Sequence, residues 1–370
     1  MGGNGQGAGA RLRRCDAGQR RGRHPAGALE AGARWLAPRA HGLAGGQTLR
    51  ARLATTGEAQ NIYERAMKDA NGYVKLAEEH SGAPIARPQP LAYPWGAALH
   101  ALDAELQPHV RLINLETTIT ASETPDRAKA IQYRMSPSNA HALSSARLDA
   151  ASLANNHILD WSFQGLLDSL AVLHKLGIRP VGASSSSSRD AAAPARIPVS
   201  SERNAPHVLL HAAAHESSGL PPSWAATPDA GGVNLLRSLA SDSAHQVSRA
   251  ISNARQQHDI VSVFSLHVSP NWGYDVPQEL QSFAETLIDS GAVNLVWCHS
   301  RCAQTVRCSP SGLLELKYLC GGLCSHHAKA LQVHNGGLIC YGVGDLISDY
   351  IVRIAQRKPR PPGDARVPGG

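Results

Sequence analysis

The sequence predicts an α/β fold, and three observations carry that prediction. Apolar runs of strand length, over 110–116, 150–154, 259–267 and 293–298, each stop abruptly on polar side chains. Between them lie segments whose apolar residues recur at helical spacing, most plainly Phe163, Leu166, Leu167, Leu170, Leu173 and Leu176, closed by Gly177. The 370 residues suffice to bury a full core, as one large α/β domain or two smaller ones.

In chain order, residues 1–57 are rich in Gly, Ala and Arg without a sustained period, which predicts a disordered basic tail. The folded body is expected over 58–350. Ile62, Ala66, Ala70 and Val74 suggest a helix ending near Glu79, and a Pro-rich connection leads to a second helix over 96–106. Residues 110–116 alternate as a strand does and end on Asn114 and Glu116. A helix over 139–146 precedes the strand at 150–154, and a short strand over 178–181 follows the 163–176 helix. The polyserine stretch 184–188 reads as a solvated loop. Then come a strand over 207–213, a helix over 241–257 and the strongest strand, 259–267, which ends in His267. Leu280, Phe283, Ala284, Leu287 and Ile288 form a helix face, and the strand after it ends at His299. A hairpin over 330–341 turns at Asn335, Gly336 and Gly337. Residues 351–370, rich in Arg, Pro and Gly, are expected to be a second disordered tail.

The net charge of +7 invites a nucleic-acid reading, but its distribution argues against one. Ten arginines and two acids lie in residues 1–57, a net of +8, which leaves 26 basic and 27 acidic residues in the remainder, a net of −1. Apart from Trp35 the tail lacks interleaved aromatics, so no specific nucleic-acid partner is expected. No run of 18 apolar residues exists and the leading segment has no apolar signal core, so no membrane span is expected and the location reads as cytoplasmic. Five of the seven cysteines fall within residues 298–324, a local cluster rather than a disulfide framework, which also favours a reducing compartment.

The chemistry concentrates at strand ends. In Leu153 to Trp161 an apolar run gives way to Asn155, Asn156, His157 and Asp160 before a helix starts. One reading is a turn and helix cap. The other is a ligand site at the carboxyl end of a strand, where open α/β sheets bind. Glu116 alone reads as an exposed strand-end carboxylate. Four strand ends in succession, however, carry Asn114 and Glu116, then Asn155 to His157, then His267, then His299, and His326 and His327 follow. Converging on one sheet edge, they would make a pocket of N and O donors suited to two metal ions and activated water.

These stretches, with Asn271 to Tyr274 and Tyr341 to Tyr350, resemble the poly-γ-glutamate capsule-synthesis (CapA-like) family, which is related to calcineurin-like metallophosphoesterases. The resemblance covers roughly residues 60–350 in the family's order. It implies a metallophosphatase-like sandwich of two β-sheets flanked by helices. It also implies divalent metal ions (Mn, Fe or Zn) held by Glu116, Asn156, His267, His299 and one of His326 and His327. His157 would polarise the substrate or act as acid, with Asp160 beside it as the second catalytic candidate. Asn114, Asn155, Asn271, Trp272 and Asp345 are the candidates for contacting substrate.

The sequence departs from that family in four places. The leading strand with its Gly-Asp motif is not found, so a first strand and one metal ligand are expected to be missing. Residues 301–324 separate His299 from His326 and His327 and carry Cys302, Cys308, Cys320 and Cys324. Their spacing is no common zinc pattern, and an insert without function is the plainer reading. Val268 and Ser269 stand where a Trp-Gly pair is usual, and the region after Tyr350 differs. Two functional readings follow. One is a metal-dependent hydrolase or phosphoesterase, impaired in this chain, acting on a small-molecule, γ-glutamyl or phosphoester substrate. The other is a non-catalytic or degraded member that binds at most, its metal ions lost. The sequence fixes no oligomeric state.

Overall fold

The structure, a computed structural model, describes residues 70–129, 131–269, 276–299, 313–314 and 330–342. The expectations for both tails, for Asn271, Trp272, His326, His327 and Asp345, and for the four insert cysteines lie outside the described residues.

In chain order the elements are α1 (Ala70–Ser81), α2 (Ala98–His100, continuing as a π-helical turn, Ala101–Leu106), β1 (Leu112–Asn114), β2 (Thr118–Ile119) and β3 (Arg134–Met135). Next come α3 (His141–Ser145), β4 (Ala150–Ser152), α4 (Ser162–Lys175), β5 (Arg179–Val181), β6 (Ala183–Ser184) and α5 (Ser188–Ala191). Then follow β7 (Ala195–Pro198), β8 (His207–His215), β9 (Gly232–Val233), β10 (Leu235–Leu236), α6 (Ser241–Ala254) and β11 (Asp259–His267). The last are α7 (Gln278–Asp289), β12 (Leu295–His299), β13 (Leu313–Leu314), β14 (Leu331–His334) and β15 (Gly337–Cys340).

The fold is mixed α/β. A smaller, parallel sheet orders β1-β4-β5. A larger one orders β10-β8-β11-β12-β15-β14-β13, with β7 antiparallel to β8. Its centre, from β10 to β15, is parallel, and β14 and β13 turn back antiparallel. Among the described residues no helix is long and apolar enough to cross a membrane.

Alternation along the strands sets what each face of the large sheet does. Leu210, Ala212 and Ala214 of β8, Val263 of β11 and Trp297 of β12 join one core with Leu115, Ala151, Leu153 and Val181 from around the smaller sheet. The intervening residues, Ala213, Phe264, Leu266, Val296 and Cys298, form a second core with Leu280, Phe283, Ala284 and Leu287 of α7. Ser265, His267 and His299 continue the first alternation, so they lie on the face that looks toward the smaller sheet. Gly182 brings the sheets together: a Cβ there would stand 2.6 Å from Ala154 Cβ and 2.8 Å from Ala212 Cβ.

Helix α4 forms for the reasons its sequence suggests. Leu166, Ser169 and Leu173 are buried on one stripe, His174 and Lys175 sit in the last turn, and Gly177 at φ +73° ends it. Gly165 lets it approach β2, because a Cβ there would meet Thr118 Cγ2 at 2.6 Å. In the hairpin, Asn335 and Gly336 take φ values of 44° and 80°, the left-handed pair of a tight two-residue turn.

One expectation needs correction. The polyserine stretch is a solvated loop only in part: Ser185 and Ser186 are exposed, but Ser184 is buried in β6, its Oγ bonds Ser186 Oγ at 2.9 Å, and Ser187 caps α5 by accepting from Asp190 N. Within residues 301–324, Leu313 and Leu314 form β13, which pairs antiparallel with β14. The short strands β2, β3 and β7 were not expected, because two to four residues carry too little alternation to register.

Candidate functional site

The carboxyl ends of β1 and β4 supply the smaller sheet's side of the site. Asn155 is fully buried and its amide is wholly engaged. Its Nδ2 donates to Asn114 Oδ1 at 3.1 Å and to Leu115 O at 2.9 Å, and its Oδ1 accepts from His157 N at 3.0 Å. Asn114 Nδ2 in turn donates to Glu116 Oε2 at 3.1 Å. Both amides thus act as scaffolding for the turn and for Glu116, leaving Glu116 Oε1 directed at two imidazoles. That oxygen lies 4.0 Å from His157 Nε2 and 3.7 Å from His267 Nε2.

Asp160 fixes His157. Both side chains are fully buried, with His157 Nδ1 2.6 Å from Asp160 Oδ2. A carboxylate only accepts, so the proton of this bond sits on Nδ1 and Nε2 faces Glu116. Asp160 Oδ2 also accepts from Tyr133 N at 2.6 Å, and Oδ1 takes the Lys129 ammonium, which reaches the Asn156 carbonyl as well. Tyr133 stacks on the His157 ring at 4.0 Å between centroids, and Lys129 lies over Trp224 at 4.9 Å. Ion pairing and stacking together leave the imidazole a single orientation.

The larger sheet supplies a different kind of structure. β11 and β12 pair in register, so His267 stands beside His299. Their Nδ1 atoms are 3.0 Å apart, and His299 Nε2 bonds Ser265 Oγ at 2.6 Å. His267 Nε2 points the other way, to Asn156 Oδ1 at 3.1 Å. Complete burial, reinforced by neighbouring His267, holds His299 well below the usual imidazole range. On the outer face of β8, burial pushes His211 down to about 4, aided by Arg196 and opposed by Asp259.

Of the residues singled out in the sequence, the structure brings together Glu116, Asn156, His157, His267, His299 and Asp160, with Asn114 and Asn155 behind Glu116. Sequence reading missed Lys129, Tyr133 and Ser265. Lys129 and Tyr133 sit in an irregular loop with no motif, whereas Ser265 was discoverable, lying two residues before His267 on the same strand face.

Among the described residues, no three His, Cys, Asp or Glu side chains form a metal-binding group by themselves. The nearest set needs the Asn156 amide. An ion bonded at about 2.1 Å separates its ligands by about 3.0 Å at right angles and about 4.2 Å across. The separations of 3.1, 3.7 and 4.0 Å among Asn156 Oδ1, His267 Nε2, Glu116 Oε1 and His157 Nε2 fall inside or close to those limits. These three of the six separations match what one divalent ion would impose on its ligands.

Fold and site together define a class: a mixed α/β protein with amide, imidazole and carboxylate donors converging at the carboxyl ends of parallel strands. The chain belongs to the bacterial capsule synthesis protein family PGA_cap, whose match spans residues 57–309. It is similar to a probable polyglutamine synthesis accessory protein of Mycobacterium tuberculosis, in each of two strains, with 39% identity over 291 residues. The matched region covers 78% of this chain and 68% of each relative. The family inferred from the strand-end motifs is the one found.

Proposed function

We propose that this protein serves capsule-type polyglutamate synthesis as a metal-dependent hydrolase acting on a γ-glutamyl amide or a phosphoester. One observation carries the reading: Glu116 Oε1, Asn156 Oδ1, His157 Nε2 and His267 Nε2 converge from both sheets on one locus. Glu116, Asn156 and His267 would hold the ion, which supplies positive charge to a phosphoryl or acyl oxygen when bound. His157 would present Nε2 to the leaving group, and Asp160 with Lys129 keeps that ring in place. Two sheets sharing one core, with the donors between them, support a metallophosphatase-like sandwich as the fold. A second reading, a binding protein without turnover, is favoured by one fact. Among the described residues Glu116 is the one carboxylate aimed at the locus, since Asp160 is engaged by Lys129, His157 and Tyr133.

The test is turnover of bis-p-nitrophenyl phosphate and of γ-glutamyl peptides by the chelator-stripped protein, with and without Mn, Fe or Zn. Metal-restored hydrolysis that His157→Ala abolishes supports the hydrolase. Binding of polyglutamate with no turnover under any metal would establish the second reading instead.

A further inference from the structure

We infer that the strand-end centre takes one divalent ion, at His267 Nε2, and that His299 is the outer partner that fixes His267 rather than a ligand of a second ion. The inference rests on the metal-dependent reading above and departs from the two-metal arrangement that the family resemblance implies.

Geometry is the first ground. The two nitrogens of an imidazole point away from opposite sides of the ring. His267 turns Nε2 toward Asn156 Oδ1 and Glu116 Oε1 and Nδ1 toward His299. His299 therefore stands behind the ring, away from the oxygen donors. Its other nitrogen is held by Ser265 Oγ at 2.6 Å. An ion placed instead at the contact of the two Nδ1 atoms would meet only two ring nitrogens, and no third His, Cys, Asp or Glu completes a group there among the described residues. The alternative at 3.0 Å is an N–H···N hydrogen bond, which needs one proton between the rings. Metal-bound histidines ordinarily donate their second ring N–H to just such an outer acceptor. Ser265, His299 and His267 form that chain.

Charge is the second ground. Two dications bring four positive charges, and a bridging carboxylate ordinarily joins them. Glu116 is the single carboxylate facing the locus among the described residues, for Asp160 is fully buried against the Lys129 ammonium. Among the described residues, one carboxylate and one amide face the locus, a set that offsets one ion rather than two.

The experiment is a metal titration of the full-length, chelator-stripped chain, with bound Mn or Zn counted by mass spectrometry and Mn(II) read by electron paramagnetic resonance. One equivalent with an isolated Mn(II) signal is expected. Two equivalents with an exchange-coupled signal would overturn the inference and leave the hydrolase reading standing, whereas no binding would overturn both. His267→Gln should lose the ion. His299→Gln should keep one equivalent with affinity lowered about 10- to 100-fold, as an outer partner's loss does, and a folded His299→Gln that binds none overturns the assignment. Should His299→Gln fail to fold, Ser265→Ala decides: one equivalent with weakened affinity supports the chain, and unchanged affinity refutes it.

Discussion

On the smaller sheet's side of the centre, Asp160 gathers charge: the Lys129 ammonium on one oxygen, His157 Nδ1 and Tyr133 N on the other, all in a buried setting. On the larger sheet's side, Ser265, His299 and His267 are joined in a run that includes no carboxylate or ammonium group, and burial pushes His211, farther back on β8, down to about 4. The contrast separates two ways of orienting an imidazole. A buried ion pair holds its ring hard, and removing either partner strands a charge in low dielectric. A chain of neutral donors and acceptors holds its ring more lightly, and deleting one member costs a single net hydrogen bond.

Breaking the charged side should therefore have the largest effect. Asp160→Ala leaves Lys129 uncompensated and His157 without its acceptor, and is expected to cost about 3–5 kcal/mol in urea unfolding. A loss below about 1 kcal/mol, the scale of a surface pair, would erase the contrast. Next comes acid sensitivity on the neutral side. His211 is depressed to about 4 in the folded chain, so between pH 6.5 and 4 the unfolded state binds the extra proton. Its stabilising contribution is complete above pH 6.5 and is lost as pH falls toward 4, on the order of 3 kcal/mol. His211→Gln should flatten that acid limb in unfolding curves measured across the window, and an unchanged slope would show another group to be responsible. Lys129→Met should cost about 2 kcal/mol, because Asp160 keeps two of its partners. Ser265→Ala should be mildest, about 1 kcal/mol by the same measurement. If Ser265→Ala proved as damaging as Asp160→Ala, the neutral side would be as rigid as the charged one.

Much of this contrast was legible beforehand. The strand from Asp259 to His267 matched its expected bounds because a nine-residue stretch so rich in β-branched and aromatic side chains leaves little ambiguity. Residues 110–116 gave a strand of only Leu112–Asn114, because the chain turns early to form the Asn114 and Asn155 amide bridge. His157 and His267 could be named as neighbours from the family's motifs, but no local pattern tells that Asn155 faces inward while Asn156 faces His267. Lys129 could not be found at all. Its partner Asp160 is 31 residues away, and a lone lysine in an irregular loop reads as solvated. The difference in polarity between the two sides depends on that one contact, which only tertiary packing makes.

Gly182 acts as a shim. Side-chain carbons pack at roughly 3.5–4 Å, so a methyl group at this position would have to part Ala154 from Ala212 by about an ångström. Ala154 leads directly into Asn155 and Asn156, while Ala212 lies on the strand that flanks β11. Widening the gap there would draw Asn156 Oδ1 away from His267 Nε2, now 3.1 Å apart, with every donor still in place. A position that carries no functional group thus sets the gauge of the centre, and relatives bearing a larger residue there would be tuned to a wider bite.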